Sequence, residues 1–400
     1  MPQIGRIAKT PRKSWCMVHG FGTMKITQHR LKAGSWQPPL QASTDCHLVL
    51  LFGSTALLEE GTAQRDLRVA CPEATLFGCS TAGEILGSSV TDDTAVATLI
   101  RFSRGRVRGV LQPIVTAGQC RPAGAALAKA LMGDGLAHIF VLSDGLKVNG
   151  SELVLGLRDH LPSSVAVTGG LAGDGSRFAR TLVALDSQVR QGVVGALGFY
   201  GSQFRIGYGS LGGWDPFGPE RIVTRSLGNV LHELDGRSAL GLYRRYLGEH
   251  AAGLPATGLL FPLSVRVPGQ DVPLVRTLLA VDDKEQTVTF AGDVPEGARA
   301  RLMHANFDRL IDGATGAARA ALGDPSWPAT ELGLLVSCVG RKLLLKQRIE
   351  EEVEGVRDVL GPAAFTTGFY SYGEIGPFGA YERCELHNQT MTVTSLSEAP

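Results

Sequence analysis

One short pattern occurs three times in this chain and constrains the fold more than any other feature. Gly78-Cys-Ser-Thr-Ala-Gly-Glu-Ile85 and Gly368-Phe-Tyr-Ser-Tyr-Gly-Glu-Ile375 match closely. Gly169-Gly-Leu-Ala-Gly-Asp174 is a shorter copy ending in aspartate. Repetition of this kind means that one supersecondary unit is used more than once. Each copy is a glycine-rich turn ending in an acid, and each follows a segment that reads as a strand.

The segments before the turns repeat as well. Leu48–Phe52, Ile139–Leu142 and Leu334–Val336 are continuous apolar runs, the mark of strands buried on both faces. They end at Gly53-Ser54, Ser143-Asp144 and Ser337-Cys338, and a helix-forming stretch separates each from its turn. These stretches run from about Thr55 to Arg68, from Ser151 onward with Leu153, Leu157 and Leu161 on one face, and from Gln347 to Leu360. In the last, Ile349, Val353, Val356 and Leu360 share a face, and Gly361-Pro362 ends it. Strand, helix and second strand at this spacing predict a right-handed β-α-β crossover three times over. The fold class is therefore α/β, with an α+β second half. Between the second and third units, at about 200–295, Phe204–Ser210, Ile222–Ser226, Leu259–Val267, Val275–Val281 and Thr287–Phe290 read as antiparallel strands. One helix is expected from about Asn229 to Leu247 and a long one from about Ala298 to Leu322.

Composition excludes several classes. Glycine is abundant, 51 of 400 residues, against an ordinary share of ~7%, which fits many tight turns. A net charge of +1 gives no electrostatic footprint for nucleic acid or an anionic membrane surface. Seven cysteines without C-x-x-C spacing argue against a zinc ribbon or a disulfide framework. Arg6, Lys9, Arg12 and Lys13 have no apolar stretch behind them, so no secretory signal is expected. No apolar run approaches the ~18 residues of a membrane span. A cytoplasmic protein is the expectation. Residues 1–44 read as an extension holding at most one strand, near Met24–Leu31, before Pro38-Pro39.

At the level of whole motifs the chain resembles the FIST family of sensory proteins. The resemblance is carried by Gly78–Ile85, Gly212-Gly-Trp214 with Pro216 and Gly218, Leu234-Asp-Gly236 and Tyr246-Leu-Gly248. It continues through Ser337-Cys-Val-Gly-Arg341, Gly368–Ile375 and Leu386-His-Asn-Gln-Thr390. It implies a FIST-N domain over 45–221 and a FIST-C domain over 222–397. It also implies an input module that binds a small ligand such as an amino acid. Relatives occur alone or fused to histidine kinases, cyclic-diguanylate enzymes and chemoreceptors. Here the output is expected in a partner chain of the first two kinds. A haem-binding, nitric-oxide-sensing branch also exists. Relatives open with an Ala-rich helix before the first strand, which residues 1–44 do not show.

The site is expected at Cys79, Ser80, Arg341, Tyr372, Glu374, His387 and Asn388, binding without turnover and without a resident cofactor. Each position has a second reading. The Gly-acid turns either form an anion nest or use their acid to cap neighbouring backbone N–H groups. Arg341 either forks onto a ligand carboxylate or pairs with Glu374 or the Glu350–Glu352 run. Cys79 and Cys338 are either nucleophiles, with His387 as the base, or small buried residues. His387 either ligates haem iron or fixes its turn through the backbone. The absence of C-x-x-C-H excludes covalently attached haem.

Overall fold

The computed structural model describes residues 24–269, 273–378 and 383–399. The first 23 residues of the expected extension lie outside that range. Each of the three units is built on a parallel strand pair: Leu48–Gly53 with Thr75–Ser80, Leu136–Ser143 with Ala166–Leu171, and Leu332–Cys338 with Phe365–Ser371. Leu48–Gly53 and Leu332–Cys338 are buried at every position, as their unbroken apolar sequences require.

In each pair the first glycine of the repeated pattern faces a carbonyl of the partner strand. A Cβ on Gly78, Gly169 or Gly368 would sit 1.8, 1.9 or 1.8 Å from the carbonyl oxygen of Leu51, Val141 or Leu335. Close backbone approach therefore explains these glycines. A positive φ accompanies it only at Gly169, where φ is 146°. The crossover helices are Thr55–Glu60 with Thr62–Ala70, Gly150–Arg158, and Val339–Leu345 with Ile349–Leu360. The single helix expected over 55–68 is broken at Gly61, whose φ of 74° ends one helix and precedes the next.

After its second strand, each unit leaves its own sheet. Glu84–Leu86 and Ser89–Thr91 form a hairpin on the third unit's sheet, pairing Gly368 with Ile85. Val183–Leu185 and Gln188–Arg190 join the first unit's sheet, pairing Val183 with Cys79. Gly373–Phe378 and Arg383–His387 join the second unit's sheet, pairing Gly169 with Ile375. The chain then returns home through Ala95–Arg101, Val193–Tyr200 and Met391–Glu398, each antiparallel to its unit's first strand. Beyond each return strand lies one more antiparallel strand: Lys25–Lys32, Arg106–Pro113 and Phe204–Leu211. The result is a ring of three sheets with pseudo-threefold order, each finished by a hairpin from another unit. Their inner faces share one core, in which Phe52 stacks on Phe369 at 4.9 Å and Phe77 meets Phe140 edge-on at 6.4 Å.

Four local expectations change. Phe204–Leu211 belongs to the third sheet rather than to the insert. Asn229–Leu247 is not one helix: Val230–Leu234 is a strand, Asp235-Gly236 is a turn with φ of 51° and 70°, and the helix is Ala239–Leu247. Asp-Gly after an alternating run is a hairpin signal, and it overrides helix propensity here. The long helix over 298–322 is strand Arg299–Ala305 followed by helix Phe307–Ala321, with the Asn306 side chain accepting from Arg309 N. Alternation decides the first part: Ala300 and Leu302 turn inward and Arg299 and Arg301 outward. Near the N-terminus two strands form, because Ser35–Gln37 pairs with Lys25–Lys32.

The insert, from Trp214 to Ala305, has its own sheet and its own core around Tyr243, Val288 and Phe290. The copies also differ outside the ring. Ala-rich helices Cys120–Leu131 and Phe307–Ala321 pack on the crossover helices of the second and third copies. Among the described residues no such helix precedes Leu48. Trp36 and Leu40 cover that face instead, and Trp36 Nε1 donates to Asp66. Alanine at Gly78, Gly169 or Gly368 should cost on the order of 1–3 kcal/mol or more, since the obstruction is backbone. Gly118→Ala, with nothing within 4 Å, should stay within about 0.5 kcal/mol of the parent. Chemical denaturation of the four variants checks this, and equal losses would refute the close-approach account.

Candidate functional site

The three Gly-acid turns meet. Ala82 N donates to Tyr370 O at 2.8 Å, and Tyr370 N to Gly83 O at 2.8 Å. Gly173 N donates to Ser80 O at 2.9 Å, and Tyr372 N to Leu171 O at 3.1 Å. The meeting point is backbone against backbone. A Cβ on Gly173 would lie 2.8 Å from Ala82 N.

Each acid holds a crossing between sheets. Glu84 accepts from Thr81 Oγ1 at 2.6 Å and Thr94 Oγ1 at 2.7 Å. Glu374 accepts from Ser371 Oγ at 2.6 Å and Thr390 Oγ1 at 2.9 Å. In both, one carboxylate ties the turn to the threonine that opens the return strand. Asp174 accepts from the backbone N–H groups of Phe178, Ala179 and Arg180, and from Tyr372 OH. Burial pushes Glu84 and Glu374 up to about 7, with the hydroxyl bonds opposing it.

Of the residues expected at a site, Cys79 packs in the central core, and burial pushes its thiol well above the usual range. Cys338 is buried and pushed up likewise, with the Glu374 charge adding to burial. Neither thiol is placed to be a thiolate at neutral pH. Ser80 Oγ accepts from Leu182 N at 2.8 Å. Arg341 is fully buried and spends all five N–H groups within the protein. Glu352 Oε2 takes Nε at 3.0 Å and Nη2 at 2.7 Å, and the carbonyls of Gly212, Gln389 and Leu310 take the rest. Its ion pair thus goes to the Glu350–Glu352 run. Glu352 Oε1 accepts from Ser337 Oγ and Tyr370 OH.

Tyr372, Glu374, His387 and Asn388 come together in the third copy. Glu374 and His387 are cross-strand partners. Tyr372 stacks on Phe178 at 4.3 Å. His387 Nε2 bonds to Gly376 O at 3.0 Å, and burial lowers the imidazole to about 4. A ring 1% exposed and bonded to a carbonyl through Nε2 does not present an iron ligand, so the residues as placed do not fit haem. No cluster of three or more His, Cys, Asp or Glu among the described residues could hold a metal ion.

Asn388 stands apart. It is 1% exposed, and among the described residues neither its Nδ2 nor its Oδ1 has a partner. The neighbouring Gln389 Oε1 is also buried and has no partner among them. A Cβ on Gly373 would meet Leu386 Cδ1 at 3.1 Å and Asn388 Nδ2 at 3.4 Å, so this glycine lets the amide and the leucine pack closely on the strand. The turn lies where the insert docks on the ring. Gln389 Nε2 donates to Leu259 O at 3.3 Å, and its carbonyl accepts from Trp214 Nε1 at 2.8 Å.

Sequence reasoning missed a second member of this seam. Arg276 reaches from the insert to the open edge of Arg383–His387, where its Nη1 donates to Leu386 O at 2.9 Å. Its Nε donates to Asp293 O at 2.9 Å. Arg276 is 4% exposed, and no carboxylate among the described residues comes within ion-pair distance. Burial lowers its guanidinium to about 10, with the charges of Asp293 and Glu385 opposing. It is therefore charged at neutral pH, and close enough to His387 to lower that ring further. The available signal was alternation, since Leu274 and Arg276 share the inward face of strand Leu274–Arg276.

Two predictions follow from these contacts. Arg341→Met leaves Glu352 charged and unpaired in the core, so it should cost about 3–5 kcal/mol. Adding Glu352→Met should recover part of that loss in urea denaturation. The second prediction concerns pH. Glu84 and Glu374 are raised from an ordinary 4.5 to about 7. Their stabilising contribution is complete below 4.5 and is lost as pH rises through about 7. Glutamine does not ionise. Glu374→Gln should gain on the parent between pH 5 and pH 8 by on the order of 1–3 kcal/mol. A difference that does not change with pH would show that the acid titrates normally.

The FIST N domain model matches residues 47–237, and the FIST C domain model matches residues 239–377. No curated protein sequence is significantly similar. Among solved structures, the chain is similar in outline to a chorismatase, at 9% identity and a TM-score of 0.34, covering 95% of this chain and 100% of that one. It is also similar to a cyanuric acid hydrolase from A. caulinodans, at 9% identity and a TM-score of 0.35, covering 94% of this chain and 100% of that one. Scores this low carry no argument about function. FIST domains are sensory domains of signal transduction. With the two matches running almost without a break from residue 47 to residue 377, the chain belongs to the FIST family.

Proposed function

We propose that this chain is the input module of a cytoplasmic signalling system. It binds a small polar metabolite, such as an amino acid, in the seam between the ring and the insert. A partner protein, such as a histidine kinase or a cyclic-diguanylate enzyme, reads the result. The observation that carries this reading is the Asn388 amide, sealed from solvent with both ends unpartnered among the described residues. A buried amide left unpaired costs roughly 1–3 kcal/mol. A ligand that takes up its hydrogen bonds recovers that cost, and an apolar side chain would avoid it altogether.

The site's position supplies a signalling route. Leu259, Trp214 and Arg276 come from the insert, and Leu386–Gln389 from the ring. A ligand held by both favours one fit of insert to ring, and a partner touching both surfaces senses the shift. Of the other expected positions, Tyr372, Glu374 and His387 shape the walls. Cys79, Ser80 and Arg341 act from farther off, by holding the ring and the turn in place.

A thermal-shift panel of amino acids and other small polar metabolites tests the proposal. A ligand present at 100 times its dissociation constant should add about 2.7 kcal/mol of stability. Asn388→Leu should fold and lose the response. If no metabolite in a broad panel raises the melting temperature, the seam is not a receptor.

A further inference from the structure

We propose that Cys46 and Cys71 form a thiol oxidation site, in which a hydroperoxide converts the two thiols to a disulfide. The site lies in the first copy and does not depend on the sensory reading of the seam. Residues 43–47 run alongside the end of helix Thr62–Ala70 and the turn after it, held by two backbone bonds. Ser43 N donates to Ala70 O at 2.7 Å, and Thr75 N to His47 O at 3.0 Å. Cys46 and Cys71 fall between these two ties and share one apolar cluster. Their sulfurs are in hydrogen-bond contact. Cys46 Sγ also reaches Leu48 O at 3.5 Å and Ile100 O at 3.8 Å.

The other described cysteines are placed differently. Cys79 packs in the central core. Cys120 Sγ accepts from Asn149 N at 3.2 Å, Cys384 Sγ donates to Val167 O at 3.4 Å, and Cys338 meets the backbone of Gly340 and Gln389. Burial at the Cys46–Cys71 pair is shallow. Cys46 is 5% exposed and Cys71 1%, yet Thr44, Asp45, His47, Pro72 and Glu73 on either side of them are all exposed. A small oxidant therefore has a short way to travel.

Unequal surroundings set the order of events. Arg68 wraps the turn after Cys71, its Nη1 donating to Pro72 O at 2.9 Å and Ala74 O at 2.8 Å. The bond to Cys46 and the Arg68 charge hold the Cys71 thiol below its ordinary value, against burial and the Asp45 charge. The bond to Cys71 and burial push the Cys46 thiol up. Cys71 is therefore the nucleophile. Its thiolate attacks one peroxide oxygen: an S–O bond forms, the O–O bond breaks, and the hydroxide released takes up a proton to leave as water. The Cys46 sulfur then attacks the sulfenic acid on Cys71. The S–S bond forms, the S–O bond breaks, and the Cys46 proton leaves with the hydroxyl as a second water. The peroxide gains the pair of electrons that the two thiols lose, and a dithiol reductant reverses the change. The bond staples residues 43–47 to the crossover helix of the first copy, on the face that Trp36 and Leu40 cover.

Peroxide treatment of the full chain, followed by unfolding, alkylation and peptide mapping, tests this. The parent should lose alkylation at Cys46 and Cys71 together, before any other cysteine, and yield a peptide pair joined through these two residues. Dithiothreitol should restore both sites. The oxidised form should melt at a higher temperature than the reduced one, since a cross-link restricts the unfolded chain. In Cys46→Ala, Cys71 should stop at the sulfenic acid and take up dimedone. In Cys71→Ala, Cys46 should stay reduced. The parent mapping needs no substitution, so it decides the question even if neither variant folds. Full alkylation of both thiols after peroxide, or a disulfide that joins other cysteines, would overturn the inference. Dimedone on Cys46 in Cys71→Ala, with none on Cys71 in Cys46→Ala, would overturn the assignment of the nucleophile.

Discussion

No sheet of the ring is complete without strands lent by another copy. That exchange is the constraint from which the rest of the architecture follows. The first copy lends a hairpin to the third, the third to the second, and the second to the first. The crossing points are the Gly-acid turns, so the turns have to meet near the middle. Their glycines let backbones approach where a Cβ would collide. Their acids hold each crossing in place through short bonds to hydroxyls or backbone N–H groups. The repeat therefore exists first for assembly. Burial makes the Glu84 and Glu374 carboxylates costly to ionise in place, and this is the source of their raised values.

Much of this was legible in the sequence because the decisive signals are local. Continuous apolar runs marked the parallel strands, and one-sided periodicity marked Ile349–Leu360. What could not be read was the destination of each hairpin. Glu84–Leu86 pairs with Thr367–Phe369, far along the chain, and three residues of alternation do not specify a partner. Helix and strand were confused at 229–247 and 298–322, where short alternating runs abut true helices. At the candidate site, Tyr372, Glu374, His387 and Asn388 were singled out through the density of polar groups in one motif, and the structure brings them together. Arg276 was not, because a single arginine on the inward side of a three-residue strand looks like any surface arginine until its burial is known. Arg341 was open to either reading, and only its geometry shows that Glu352 consumes it.

The insert turns a symmetrical scaffold into an asymmetrical one. It enters between Phe204–Leu211 and Phe307–Ala321 of the third copy and brings its own core. Among the described residues the first two copies carry nothing comparable. Asn388 and Gln389, each buried with an amide atom unpartnered among the described residues, lie in the turn that meets the insert. The central meeting point of the turns is instead closed by direct backbone bonds. Rigidity at the middle and unmet hydrogen-bonding capacity at one flank suit a module whose framework stays fixed while one flank responds.

The cyclic lending of strands also bears on how the chain is made. The second sheet cannot close until Gly373–His387 has been synthesised, and the third waits for Met391–Glu398. The first copy emerges early, but its hairpin has no sheet to join for almost three hundred residues. Such long-range pairing slows folding and leaves strand edges open during translation. On the ribosome the nascent N-terminal two-thirds therefore carries open strand edges, and the second and third sheets close only when the last strands arrive.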